Sequence, residues 1–170
     1  RNRTIKEDEG GGPRGTLTLC LIDTGIFLCL AFEDPGYQHC GKLLDKAYEG
    51  DIAPILSSIQ LAELYTPFLR AKDLQGLEKM KQEVIKLAPK IRNVDEEIAE
   101  KAAEYRSTIR TPEEKWLALA DSIILATATL EKADVLYTID TDFAHVKQIK
   151  VKAPEMTLQE WTKQYRSKNR

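Results

Sequence analysis

The stretch "WLALADSIILATATLEKADVLYTIDTDF", residues 116–143, decides the reading of this chain. It opens as an Ala- and Leu-rich helix, turns at "EKAD", and runs into a short strand ending in Asp140, with Asp142 two residues on. A helix that hands straight to an apolar strand is the building unit of an α/β sheet. Asp121 lies near the middle of 116–130, where every other side chain is uncharged. Burying an unpaired carboxylate costs on the order of several kcal/mol, so Asp121 demands a compensating partner.

Working outward, the same alternation fills the rest of the chain. "TLTLCLID" (16–23) is β-branched and apolar without polar alternation, as in a strand covered on both faces. A short apolar helix follows Asp23 and stops at "EDPG"; "YQHCGKLLDKAYEGD" (37–51) is an amphipathic helix ended near Gly50. "IAPILSS" (52–58) is a second strand, and a serine cap opens "SIQLAELYTPFLR" as a helix carrying Glu63. Residues 74–88 and 95–107 read as solvent-facing amphipathic helices with supporting Glu/Lys pairs at i,i+4. Residues 110–133 read as one long buried helix with a capped start and Pro112 in its first turn. "DVLYTID" (134–140) and "QIKVKAP" (148–154) are strands, and 157–166 is a closing helix. The expected fold is therefore α/β: a three-layer α/β/α sandwich around a mainly parallel central sheet.

Composition sets bounds. In 170 residues, 42% are hydrophobic and 31% charged, which suits one soluble globular domain. A formal net charge of −2 names no partner by itself. Three cysteines (Cys20, Cys29, Cys40) with no CxxC pair indicate neither a disulfide framework nor a zinc finger, and fit a reducing, cytoplasmic setting. The apolar run 16–32 contains Asp23 and Gly25, is shorter than a membrane span and follows the acidic "KEDEG", so it reads as core rather than signal or anchor. Residues 1–15, rich in Gly and mixed charge, read as a flexible extension; 16–156 as the domain; 157–170 as a helix with a basic tail.

Ligands of open parallel sheets gather at the carboxyl ends of strands. Asp23 and Asp140 both end strands, while Glu63 and Asp121 ride on helices near that rim. Each acid alone has an ordinary reading, as a helix cap, a solvated helix face or a turn residue. Together they would repel strongly, and no Arg or Lys lies within two positions of Asp23, Asp121 or Asp140. A hard divalent cation, Mg²⁺ or Mn²⁺, resolves the repulsion, because such ions prefer oxygen ligands.

This pattern resembles the PIN domain, the nuclease fold of VapC-type toxins. The pieces that carry the resemblance are "LIDTGIFLCL" with Asp23, "ILSSIQLAEL" with Glu63, and "LALADSIILATATLEKADVLYTIDTDF" with Asp121, Asp140 and Asp142; it runs from about residue 17 to about 155. Gly25 departs from it, since many relatives carry Ser or Asn there, and 72–110 is long by its standards. The resemblance implies a metal-dependent endoribonuclease in which Asp23, Glu63, Asp121 and Asp140 form the acidic pocket. Asp142 would be a further metal ligand, and Thr24, Ser58 and Thr138 would orient the carboxylates. It also implies an antitoxin partner and a homodimer; the apolar and aromatic Phe27, Leu28, Tyr65 and Phe68 are candidates for a partner surface, with core packing the expected fate of most.

The chemistry agrees with that implication, since phosphodiester hydrolysis needs an acidified water and neutralisation of developing charge. His39 and His145 lack partners for a nucleophilic site and read as surface or packing residues. Lys147, Lys150 and Lys152, with the basic 163–170 tail, are candidates to track an RNA backbone. The competing readings are a PIN-fold RNA-processing or RNA-binding protein outside toxin–antitoxin systems, with or without catalysis, and a phosphatase or receiver domain. The last two want a D-x-D or paired acids after the first strand, whereas Asp23 is followed by Thr24 and Gly25.

Overall fold

The computed structural model describes residues 17–87 and 90–166. Its centre is a five-stranded, wholly parallel sheet: β1 (Thr18–Ile22), β2 (Ile52–Ser57), β3 (Lys90–Arg92), β4 (Val135–Tyr137) and β5 (Lys150–Lys152). The order across the sheet is β3-β2-β1-β4-β5. Side chains alternate along β1, so Cys20 and Ile22 enter one core while Leu21 enters the other. The first core is closed by α1 (Thr24–Ala31), α2 (Tyr37–Tyr48), α3 (Ser58–Arg70) and α4 (Leu74–Leu87), through residues such as Phe27, Leu44, Leu64 and Met80. The second is closed by α5 (Glu96–Thr108) and α6 (Leu119–Leu130), through Ile98, Tyr105, Ile124 and Leu125, with Leu158 of α7 (Leu158–Trp161). Three layers result, because a strand buried on both faces needs a helical cover on each.

The chain winds outward from β1 through β2 to β3, then crosses to the other face and returns to β4 on the far side of β1. The sheet order thus reverses between β1 and β4, and a crevice opens at the carboxyl ends of that pair. Asp23 N donates to Tyr137 O at 2.8 Å, which carries the β1–β4 ladder one residue past the strand end. At the opposite end Asp134 pins the same pair, accepting from Leu19 N at 2.8 Å and donating its own N–H to Leu19 O at 2.8 Å.

Several expectations need correction. The helix predicted over 110–133 begins only at Leu119. Residues 110–117 fold back instead: Thr111 N donates to Lys115 O, Leu117 N to Ile109 O, and Arg110 pairs with Trp116, its guanidinium 3.2 Å from the indole centroid. Pro112 therefore shapes a tight turn rather than a helix start, and Asp121 sits in the first turn of α6 instead of its interior. β3 was not anticipated. "KIR" has no apolar pattern, and the strand rests on its ladder to β2 and on ion pairs from Lys90 and Arg92 to Glu131. The helical Lys–Glu pairs that form, Lys86–Glu83 and Lys101–Glu104, are i,i+3 rather than i,i+4. The closing helix is α-helical only to Trp161 and continues as a π-helical turn over Thr162–Arg166. Gly36 is required by that closure: its φ is +95°, and a Cβ there would stand 2.5 Å from Trp161 Cη2.

The three cysteines are free and buried. No helix among the described residues is long and apolar enough to cross a membrane. The expected extension 1–15 and the end of the basic tail, 167–170, lie outside the described residues.

Candidate metal centre

The site is built outward from Asp23. It caps α1 in extended conformation, and its Oδ1 accepts the Thr24 N–H at 2.8 Å. Its Oδ2 accepts the Thr138 hydroxyl at 2.6 Å, reaching across to the end of β4. Thr138 in turn accepts the Asp140 N–H at 2.9 Å, and Asp140 Oδ1 accepts the Asp142 N–H at 3.0 Å. One chain of hydrogen bonds thus sets the strand-end acids of β1 and β4 relative to each other. A second tie comes from α3, where Glu63 Oε2 accepts the Thr24 hydroxyl at 2.7 Å.

The depth of α3 is set by a residue that the reading of the sequence passed over. Gln60, fully buried, donates from Nε2 to Ile22 O at 2.8 Å and accepts the Ser57 N–H at 2.9 Å. It fastens the Glu63 helix to the end of β1. Its signal was present in the S-x-x-Q spacing of Ser57 and Gln60, which places the amide over the first turn. Ser58, expected to orient carboxylates, instead accepts the Val94 N–H at 3.3 Å and serves the loop before α5. The Ser57 hydroxyl is buried without a partner among the described residues.

Asp121, Asp140 and Asp142 form the tightest acidic group, each offering an oxygen within 4.8 Å of the others. All three are half-buried. Asp23, Glu63, Asp121 and Asp140 line one cleft of about 730 Å³, whereas Asp142 stands on its outer side and borders a neighbouring groove. The electrostatics record the crowding. Burial, then the charges of Asp23, Asp140, Glu63 and Asp142, push the Asp121 carboxyl up to about 7. Asp23 is pushed up to about 6 by burial and by Asp140 and Glu63, against the lowering effect of its Thr138 and Thr24 hydrogen bonds. The first turn of α6 adds the positive end of a helix dipole beside Asp121, a compensation too weak to cancel several acids.

Among the described residues the acidic group is all oxygen, carboxylates with threonine hydroxyls behind them, while the Cys29 thiol, which also borders the cleft, is turned to the Asp34 and Pro35 carbonyls. Such a set fits Mg²⁺ or Mn²⁺ and not a soft metal. Asp121, Asp140 and Asp142, with Asp23 at the cleft floor, are the residues that could hold one.

The remaining candidates lie elsewhere. Lys147 borders a separate hollow with Arg110 and His145. Lys150 pairs with Val135 at the amino end of β4, away from the rim, and Lys152 pairs with Tyr137 nearer to it; among the described residues no lysine lines the acidic cleft. His39 contacts Glu155 at 2.7 Å on the surface. Phe27 and Phe68 are buried in the core, and Leu28 and Tyr65 pack partly against it.

Comparison with known proteins agrees with this fold. No curated protein sequence matches the chain. Solved structures similar in fold include the following three. A chain of a toxin–antitoxin complex from Klebsiella pneumoniae shares 28% identity at a TM-score of 0.59, covering 81% of this chain and 98% of that one. VapBC2 from Rickettsia felis, solved bound to a DNA fragment from its promoter, shares 19% at 0.61, covering 80% and 98%. VapC20 of Mycobacterium tuberculosis, a toxin that cleaves the sarcin–ricin loop, shares 16% at 0.60, covering 74% and 92%. The profile of the PIN domain matches residues 20–149, a span that takes in the strand end at Asp23, the helix of Glu63 and the rim of Asp121 to Asp142. By that match, and by the sheet order that creates the crevice, the chain belongs to the PIN domain family.

Proposed function

We propose that this protein is a Mg²⁺- or Mn²⁺-dependent endoribonuclease that hydrolyses RNA phosphodiester bonds, and that it is the toxin of a toxin–antitoxin pair. The observation that carries the reading is the convergence of carboxylates remote in the chain on one cleft beside the β1–β4 crevice. The toxin assignment is supported by the toxin–antitoxin complex that shares 28% identity over nearly its whole length. On the same reading it acts in the cytoplasm, its partner is a cognate antitoxin protein, and its assembly is a homodimer.

When bound, the cation supplies an acidified water and a positive charge opposite the phosphate oxygens. The chain's own groups prepare for this. Thr138 and Thr24 hold Asp23 with both its oxygens fixed, so the acid at the cleft floor needs no reorganisation. The Thr24 hydroxyl donates to one oxygen of Glu63 and so orients that carboxylate in the cleft lining. The backbone N–H groups of Asp140 and Asp142 set the rim acids, donating to the Thr138 hydroxyl and to the Asp140 carboxylate. Incubating the protein with RNA tests the reading: Mg²⁺ or Mn²⁺ should support cleavage, and EDTA or Asp23→Ala should abolish it. Cleavage that survives either treatment contradicts the assignment.

A further inference from the structure

The acidic cleft is larger than one hydrated ion requires, and its outer half is built differently from its floor. A water occupies roughly 30 Å³ and small-ligand sites roughly 300–1,000 Å³, so about 730 Å³ leaves space for a nucleotide beside the cation. Glu63, Thr66, Pro67 and Arg70 all line it from α3. They stand at i, i+3, i+4 and i+7, a single helix face. Arg70 therefore lies about 10 Å along the helix axis from Glu63. Leu28 from α1 and Ile59, on the same α3 face one turn before Glu63, give the cleft its apolar lining.

Arg70 is the one cation lining this cleft among the described residues; it is exposed and takes part in no ion pair there. Asp34, which also lines the cleft from the turn after α1, is not paired with it. A polyanion entering a hollow lined by five carboxylates meets repulsion everywhere beyond the cation's reach. A guanidinium offers a planar fork that matches phosphate oxygens in bidentate fashion. We propose that Arg70 binds a backbone phosphate next to the scissile one, making the outer cleft a subsite for a flanking nucleotide of a single RNA strand. The proposal rests on the ribonuclease reading and names how that site grips its substrate. Arg70 is a positioning residue here, since it touches a neighbouring phosphate rather than the reacting one.

The test uses the full chain and a pool of mixed-sequence single-stranded RNA with Mg²⁺, measured over a salt series. Arg70→Ala should raise KM about tenfold and leave kcat within about twofold, because phosphate contacts position rather than react. The slope of log KM against log salt should fall by about 0.7, the loss of one phosphate contact on a single strand. Arg70→Lys should lie between parent and Arg70→Ala. An unchanged KM and salt slope in Arg70→Ala, beside a parent that cleaves, overturns this inference alone. A fall in kcat with KM unmoved also overturns it, since that marks a distorted acidic site. A parent that cleaves no RNA overturns the inference together with the ribonuclease reading beneath it.

Discussion

The two halves of the acidic site are prepared in opposite ways. At the β1 corner, Asp23 is buried, and each of its oxygens has a donor within 2.8 Å. At the β4 rim, Asp121, Asp140 and Asp142 lie half-exposed with oxygens within 4.8 Å of one another. The first corner is held by the fold. The second holds like charges together, and on the proposed reading a cation completes it. In such a site, stability and chemistry pull against each other, as expected where strain is kept for function.

Neutralising a rim acid should break this contrast most sharply. Asp121→Asn removes a carboxylate that would hold the cation and should lower RNA cleavage by about 10²–10³-fold, read as initial rate at saturating Mg²⁺. Without metal, the same change should stabilise the protein. Asp121 and Asp23 both have folded pKa values raised above their ordinary 3.8, so their contribution to stability is full below about 3.8 and is lost as pH rises toward about 6 for Asp23 and about 7 for Asp121. Thermal melts in EDTA should therefore show Asp121→Asn a few degrees above the parent at pH 8, with the gap closing toward pH 4. Added Mg²⁺ at pH 8 should reverse the order. A gap that grows as pH falls would contradict the repulsion.

At the held corner the expected effect is smaller and of the other sign. Thr138→Val removes the hydroxyl that donates to Asp23 and accepts from Asp140 N–H, leaving buried groups unpaired. We expect a loss of about 1–3 kcal/mol in chemical denaturation with or without metal, and a drop in activity near tenfold from a misaimed Asp23. Smallest of all, Lys150→Gln should change cleavage by less than about twofold, because Lys150 lies at the far end of its strand from the rim and is open to solvent. A larger effect would extend the RNA track to that edge of the sheet.

The acids were legible because they stood out: Asp121 among apolar residues, and Asp23 and Asp140 at the ends of apolar strands. Three of the five strands were legible for the same reason, since β1, β2 and β4 are apolar or β-branched, while β5, charged at both ends, read as a weaker strand only within "QIKVKAP" (148–154). β3 was hidden, because an edge strand of three residues is held by backbone pairing and charge rather than by a buried pattern. The start of α6 was misplaced because Pro112 and the acids after it imitate a capped first turn, while the Arg110–Trp116 contact that opposes helix there is tertiary. Gln60 and Arg70 were passed over because a polar residue on an amphipathic helix looks solvated until the neighbouring strand or cleft is in view.

The central claim, that the fold gathers these acids around a divalent cation, is tested most directly by anomalous diffraction from crystals grown with Mn²⁺. The account expects one strong peak among Asp121, Asp140 and Asp142 on the side of Asp23, absent in Asp121→Asn crystals. A cleft without a peak at saturating Mn²⁺, or a peak that persists unchanged in Asp121→Asn, would contradict it.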